Sequence, residues 1–85
     1  MRYSVLLTAH AARDLRKLPK DVRKRVTDAL ERLSDDPRPH GCEKISGTDE
    51  WRIRVGDYRI RYTIDDKGKV VIVTRIGHRK KIYEG

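Results

Sequence analysis

Four arginines alternate with apolar residues in the segment WRIRVGDYRIRYTI, residues 51–64, which holds no acid outside its central turn. A two-residue turn at Gly56-Asp57 would fold this segment into two antiparallel strands and gather the arginines on one face. Like charges opposite each other on a sheet are unfavourable, and a bound anion would recover that cost. We interpret this face as a phosphate-binding surface; the alternative is a solvated outer face whose side chains splay into water. The four residues are Arg52, Arg54, Arg59 and Arg61.

A second basic cluster lies near the end of the chain. Residues 75–85 hold four basic side chains against one acid, which contributes +3 to a formal net charge of +8. A field concentrated in this way suits a polyanion, either nucleic acid or an acidic protein. The planar fork of arginine grips phosphate in two places, and we expect the two lysines to add to the phosphate-binding set. The basic members are Arg75, Arg79, Lys80 and Lys81.

Two residues beside these clusters could move a proton. A phenol such as that of Tyr83 is a poor base at neutral pH, but surrounding guanidinium groups favour its anion and would make it a usable proton acceptor. Histidine changes charge near neutral pH, so His78 could serve the same purpose. Tyr83 could instead anchor the chain end to the sheet, and His78 could be a surface residue at a strand end. The sequence leaves this choice open, together with the sheet face that Arg75 and Arg79 reach.

Other kinds of chemistry find little support in the sequence. Cys42 is the only cysteine, so no internal disulfide can form and we expect a cytoplasmic protein. The first apolar run stops at Thr8, which argues against a signal peptide and a membrane span. No phosphate loop, paired-cysteine zinc site or His-Glu-x-x-His motif is found, so we expect neither a metal nor a cofactor.

The first half of the chain predicts a strand and a helical hairpin. Residues 2–7 are rich in β-formers, and Thr8 is a plausible N-cap for a helix over residues 9–18. Pro19 ends that helix, and an apolar stripe of helical period follows over residues 22–33 until Pro37 and Pro39. Acid-before-base pairs four residues apart are predicted in the second helix: Asp21–Arg25 and Asp28–Arg32.

The second half predicts strands. A short strand is expected over residues 41–45, then the hairpin with Val55 opposite Tyr58 and Trp51 opposite Tyr62, then a central strand over residues 70–76 that ends at Gly77. Trp51 falls on the apolar face and is expected in the core. The chain is therefore predicted to be one α+β domain over residues 1–85: an N-terminal strand, a helical hairpin, then antiparallel strands in one sheet with the helices packed on one face.

The order of these elements and two sequence blocks resemble the RelE branch of the RelE/ParE toxin superfamily. The blocks are RIRVGDYRIRY, residues 52–62, and IGHRKKIY, residues 76–83. The second block is the more specific, because a basic Gly-His-Arg turn followed by a near-terminal tyrosine separates RelE-like from ParE-like members. The resemblance spans nearly the whole chain, although arginines stand where lysines are often found and the final Arg-to-Tyr spacing is shorter.

The resemblance implies a metal-free endoribonuclease that enters the ribosomal A site and cuts the messenger RNA there. The family's functional positions fall on Arg52, Arg54, Arg59, Arg79 and Tyr83. A ribose 2′-hydroxyl would attack the adjacent phosphate, leaving a cyclic phosphate and a 5′-hydroxyl. Tyr83 or His78 would take the 2′ proton, the strand arginines would stabilise charge on the phosphate, and Arg79 would neutralise or protonate the leaving oxygen.

The resemblance also implies partners. We expect an acidic RelB-like antitoxin that wraps the basic face, the small ribosomal subunit with its messenger, no membrane, and a free toxin that is monomeric. The alternative function is that of a ParE-like toxin, which inhibits DNA gyrase by binding and has no catalysis of its own, since the shared fold permits both. A plain nucleic-acid-binding module is a third class, and no helix-turn-helix or RNA-recognition signature supports it.

Overall fold

A computed structural model of the chain describes residues 2–82. Five strands and two helices follow one another in the order β-α-α-β-β-β-β, as the sequence predicts. Their bounds are β1 Ser4–Leu7, α1 Ala9–Arg16, α2 Lys20–Asp35, β2 Glu43–Lys44, β3 Trp51–Val55, β4 Tyr58–Asp65 and β5 Val70–His78.

The five strands form one mixed sheet in the order β1-β5-β4-β3-β2. Strand β1 runs parallel to β5, whereas every other neighbouring pair is antiparallel. The parallel partner places the first and last strands side by side, with the helical hairpin as part of the connection between them. The predicted α+β class is confirmed, and the pairing of β1 with β5 is a long-range feature that local sequence patterns did not indicate.

The core lies between the helices and one face of the sheet. The apolar stripe of α2 is buried as predicted, with Val26 and Leu33 fully covered. From the sheet side, Ile60, Val71 and Val73 are likewise fully buried. Strands β3, β4 and β5 thereby turn one face to the helices and leave the other for different contacts, because side chains alternate along a strand.

Two aromatic residues of the hairpin belong to the helix-facing side. Tyr62 is fully buried, and its hydroxyl donates a 2.8 Å hydrogen bond to the carbonyl of Pro37, which ties the sheet to the loop after α2. Burial raises the pKa of this phenol. Trp51 is half-buried and packs against the core with the Arg38 guanidinium 5.2 Å from its ring centroid. It therefore lies at the edge of the core, so the predicted core position is confirmed only in part.

The helix boundaries follow their capping residues. The Thr8 hydroxyl accepts a 3.1 Å hydrogen bond from the Ala11 amide, which confirms the predicted N-cap. Helix α1 ends at Arg16, two residues before the predicted end, and Leu18 still packs against the core. Pro19 is the N-cap of α2, consistent with a residue that cannot continue a helix but can precede one.

Several sequence-based details are wrong. Strand β1 begins at Ser4 and β2 spans only Glu43–Lys44, both shorter than predicted. Strand β5 continues through Gly77 to His78, because the backbone there pairs with β4. Neither predicted Asp–Arg pair of α2 lies within 4.0 Å among the described residues; the six ion pairs found there involve other partners.

The central hairpin has the predicted register. Val55 pairs with Tyr58 and Trp51 with Tyr62 across β3 and β4. Gly56 has a φ of +60°, the left-handed conformation that a two-residue turn with glycine first requires. On the other side of β4, a bulge after Arg61 shifts the pairing with β5 by one residue. The bulge lies beside the charged residues described next.

Candidate functional site

The sheet surface opposite the helices carries the four hairpin arginines, and we call it the arginine face. Its members differ in exposure. Arg54 is exposed, Arg52 and Arg61 are half-buried, and Arg59 is buried with only 9% of its surface accessible. The face is therefore partly covered rather than a uniformly solvated layer.

Arg59 is held by the turn of its own hairpin. Its Nη1 donates to the carbonyls of Gly56 and Tyr58 at 3.2 and 3.0 Å. Its strand partner is Gly77, and an atom at the Cβ position of that glycine would lie 3.8 Å from Ile82. Ile82 is fully buried, so the segment after β5 folds back over this part of the sheet. The guanidinium is thus fixed in place, and these bonds do not use its Nη2 and Nε.

Two other arginines of the face are paired with acids from outside the hairpin. Arg61 Nη2 lies 2.8 Å from Glu50 Oε2, and the Arg52 guanidinium lies 3.5 Å from Glu43. Arg61 Nε is buried and has no hydrogen-bond partner among the described residues. Counting acids only within the segment therefore overestimates its unpaired positive charge, because neighbouring parts of the chain supply two carboxylates. Arg61 is the least available of the four for a bound phosphate.

The turn after β5 brings the second basic cluster to the hairpin. The backbone amide of Arg79 donates a 2.8 Å hydrogen bond to the carbonyl of Asp57, in the turn just before Tyr58 and Arg59. The side chains of Arg79, Lys80 and Lys81 are exposed. The two basic clusters that the sequence separates therefore meet at one end of the sheet. Tyr83 lies outside the described residues.

His78 projects from the other face of the sheet. Its ring makes an edge contact with Tyr58 at a centroid distance of 5.5 Å, and its Nδ1 accepts a 3.2 Å hydrogen bond from the Lys80 amide. It lines a cavity of about 390 Å³ together with Asp14 and Lys17 of the helical hairpin. The structure does not bring this imidazole together with Arg59, whose side chain leaves the opposite face.

Arg75 lies opposite Arg61 in the register of β4 and β5, and its guanidinium reaches helix α1. Its Nε donates to Asp14 Oδ2 at 3.1 Å, and the same oxygen accepts a 3.0 Å hydrogen bond from the Ile76 amide. Arg75 is therefore engaged with α1. No group of three or more metal-ligating side chains occurs within residues 2–82. Over the same residues, neither helix is long and apolar enough to cross a membrane.

Comparisons of the sequence place this architecture among toxins. Residues 5–83 match the family described as the ParE toxin of the type II toxin–antitoxin system parDE. Toxin RelG of Mycobacterium tuberculosis is 38% identical, and the match covers 98% of each chain. The putative toxin RelE1 of Methanocaldococcus jannaschii is 26% identical, with 99% of this chain and 98% of the relative covered.

Solved structures share the fold over almost the whole chain. A chain of the RelBE2 toxin–antitoxin complex from Mycobacterium tuberculosis superposes with a TM-score of 0.81 at 32% identity, covering 93% of this chain and 100% of that one. A chain of the archaeal RelE–RelB complex from Pyrococcus horikoshii gives a TM-score of 0.84 at 30% identity, covering 95% and 99%. Both similarities extend over the helical hairpin and the sheet together.

Proposed function

The chain belongs to the RelE/ParE superfamily of type II toxins as a RelE-type member, and from that premise we propose that it is a ribosome-dependent endoribonuclease that cuts messenger RNA in the A site. One observation carries the proposal. The hairpin turn joins both basic clusters, because Gly56 and Tyr58 accept from the Arg59 guanidinium while Asp57 accepts from the Arg79 amide. Cationic groups set by the backbone on one short turn suit the stabilisation of a phosphate that gains charge.

Each of the basic residues has its own part in the cleavage reaction. A ribose 2′ oxygen attacks the adjacent phosphorus, the bond to the 5′ oxygen breaks, and the products are a 2′,3′-cyclic phosphate and a 5′-hydroxyl. Arg59, with Arg52 and Arg54 beside it, stabilises the negative charge on the phosphate oxygens. Arg79 neutralises the charge on the leaving 5′ oxygen, which takes its proton from water because a guanidinium is too weak an acid to be an efficient donor. Lys80 and Lys81 hold neighbouring phosphates of the message.

Tyr83 is the residue we assign as the base that takes the 2′ proton. His78 is the poorer candidate, because its ring lies with Tyr58 on the helix-facing side of the sheet. Ile82, directly before Tyr83, is buried near Gly77 on the side of Arg59. The sequence left this choice open, and the support for Tyr83 comes from the position of its neighbour.

The protein also binds an acidic antitoxin under this proposal. The solved relatives from Mycobacterium tuberculosis and Pyrococcus horikoshii are complexes of a RelE-type toxin with a RelB-type antitoxin. A net charge of +8 favours a negatively charged partner, both in the rate of association and in the choice of partner. The free toxin is a cytoplasmic monomer that meets the ribosome only when the antitoxin is absent.

A gyrase-inhibiting toxin is the second candidate, since the matching family is described by its ParE members. Expression in bacteria of wild type and of an Arg79→Ala, Tyr83→Phe double variant separates the two. The ribonuclease proposal predicts that only wild type arrests growth, with protein synthesis failing before DNA synthesis. An Arg13→Ala, Lys17→Ala variant, altered on the surface of α1, is the control and should remain toxic. Growth arrest by the Arg79, Tyr83 variant with loss of plasmid supercoiling would support the gyrase inhibitor instead.

A further inference from the structure

A polar cleft lies between α2 and the outer edge of β3. It has a volume of about 250 Å³, and three of its lining residues are arginines that come from two different elements. Arg25 and Arg32 lie on α2, whereas Arg54 belongs to the arginine face. The remaining lining residues are Asp28, Val55 and Gly56. The cleft borders the hairpin turn, since Gly56 lines it and also accepts a hydrogen bond from Arg59, and it shares Arg54 with the arginine face.

Arg25 reaches the hairpin instead of its expected helical partner. An atom at the Cβ position of Gly56 would lie 3.1 and 3.3 Å from the two terminal nitrogens of this guanidinium. A side chain at residue 56 would therefore press on Arg25, in addition to straining the positive φ of the turn. The contact explains why the predicted pair with Asp21 is not formed. It also places a cation at the mouth of the cleft.

Arg25, Arg32 and Arg54 line the same cleft without a paired acid. None of them has a carboxylate within 4.0 Å in the described part of the chain. Among the lining residues within 2–82, Asp28 is the one acid, so three positive charges line the cleft against one negative charge. Like charges gathered in this way raise the energy of the empty site, and a bound anion lowers it again. Phosphate is the anion that suits several planar guanidinium forks.

The short β2 strand leaves this edge open. Strand β2 pairs only with Trp51 and Arg52, so within residues 2–82 the outer edge of β3 beyond them has no strand partner. In a hairpin with a two-residue turn, hydrogen-bonded and non-bonded pairs alternate from the turn outward. Arg54 stands opposite Arg59 in a non-bonded pair, so its backbone amide points away from β4, toward the open edge of β3. The backbone thereby offers a further donor.

A second cavity of about 400 Å³ adjoins the cleft and shares Arg32 and Arg54 with it. Ala29, Pro39 and Ile53 give it apolar walls, and His40 stands at its side. A cationic cleft beside an apolar cavity matches the two halves of a nucleotide, since phosphates bind cations and bases bind apolar and ring surfaces.

We propose that this pair of cavities binds one nucleotide of an RNA chain, with its phosphate among Arg25, Arg32 and Arg54 and its base against Pro39 and Ile53. The inference rests on the proposed function, because it takes RNA as the ligand. The RNA then runs from the arginine face, past Arg54 at the edge of the sheet, to α2. A single small cleft with an adjoining base-sized cavity fits a nucleotide better than it fits a folded acidic helix.

The test is the salt dependence of binding to a short single-stranded RNA. Each phosphate neutralised by a protein contributes about 0.7 to the slope of log affinity against log salt for single strands. An Arg25→Gln, Arg32→Gln variant should therefore lose about 0.7 from the wild-type slope. The matched control is Arg13→Gln, Arg16→Gln, which removes the same charge from the exposed surface of α1 and should leave the slope unchanged. Equal slopes for wild type and the cleft variant would overturn the proposal.

Asp28→Asn supplies a test that a folding defect cannot imitate. It removes the one acid of the cleft and should tighten RNA binding, whereas a partly unfolded protein would bind more weakly. Weaker antitoxin binding by the Arg25, Arg32 variant with an unchanged RNA slope would assign the cleft to an acidic protein segment and overturn the proposal. Cleavage of message on ribosomes is measured separately. If wild type leaves the message uncut but the salt slopes of wild type and the cleft variant differ, the proposed function is wrong and the proposal that the cleft binds RNA stands.

Discussion

Arg59 differs from the other arginines of its face because the backbone of its own hairpin turn holds it. A sequence pattern could assign all four to one face, since alternation is a local property of strands. It could not distinguish them, because the burial of Arg59 accompanies the folding back of the segment that contains Ile82. The acids that pair with Arg52 and Arg61 were missed for a related reason. Glu43 and Glu50 lie outside the alternating segment: Glu43 reaches Arg52 through the pairing of β2 with β3, and Glu50, directly before Trp51, reaches Arg61 on the neighbouring strand.

Replacing Arg59 by lysine tests the importance of the fixed fork at the scale of one residue. Lysine keeps the charge but cannot donate to the carbonyls of Gly56 and Tyr58 and present further donors to a phosphate at the same time. We expect cleavage on ribosomes to fall by about 100-fold, the usual effect of losing one well-placed donor to a charged transition state. Arg13→Lys on α1 is the control and should cut normally. Full activity of Arg59→Lys would show that charge alone suffices there.

At the scale of elements, α1 completes the sheet where β1 stops. Strand β1 ends at Leu7, so the last part of β5 has no strand neighbour on that side in the described part of the chain. Asp14 of α1 takes that place, because its carboxylate accepts from the Ile76 amide and from the Arg75 guanidinium. The amphipathic period predicted the helices, and the turn residues predicted the hairpin. The parallel pairing of β1 with β5 depends on contacts between the two ends of the sequence, and local patterns carry no signal of it.

Asp14→Ala should destabilise the fold through this junction. The substitution leaves the Ile76 amide and the Arg75 guanidinium without their acceptor in a partly buried place, at a cost of about 2–3 kcal/mol in the free energy of unfolding. Asp14→Asn keeps an oxygen that can accept from the amide and should lose less. Urea unfolding of the three proteins measures the difference. Equal stabilities of the alanine and asparagine variants would contradict the role given to this acceptor.

At the scale of the whole molecule, Asp66 joins three distant parts of the chain. Its carboxylate accepts a 2.7 Å hydrogen bond from the Tyr3 hydroxyl and two from the Arg38 guanidinium, at 3.1 and 2.8 Å. The Arg38 bonds are the main cause, and the Tyr3 bond the next, that lower the pKa of Asp66 from 3.8 to about 2. The turn between β4 and β5 is thereby fastened to the N-terminus and to the loop after α2.

This arrangement predicts a pH dependence of stability. Because the pKa is lower in the folded state, the contribution of Asp66 is complete above 3.8 and is lost as the pH falls toward 2. Wild type should therefore be more stable than Asp66→Asn at pH 6, and the gap should close at pH values below about 2 and shrink in high salt. Urea unfolding across this range provides the measurement. Asp49→Asn, which removes the same charge from the loop before β3, is the control. A gap that persists unchanged at the acid end would contradict this account.

Primer extension tests most directly whether the whole toxin cuts messenger RNA on the ribosome. The measurement uses a defined message in a purified translation system, with wild type and the Arg79→Ala, Tyr83→Phe double variant. Our account predicts strong stops within A-site codons for wild type only, with fragments that begin with a 5′-hydroxyl, and no cutting of the same message without ribosomes. An intact message with wild type that still arrests cell growth would contradict the ribonuclease function.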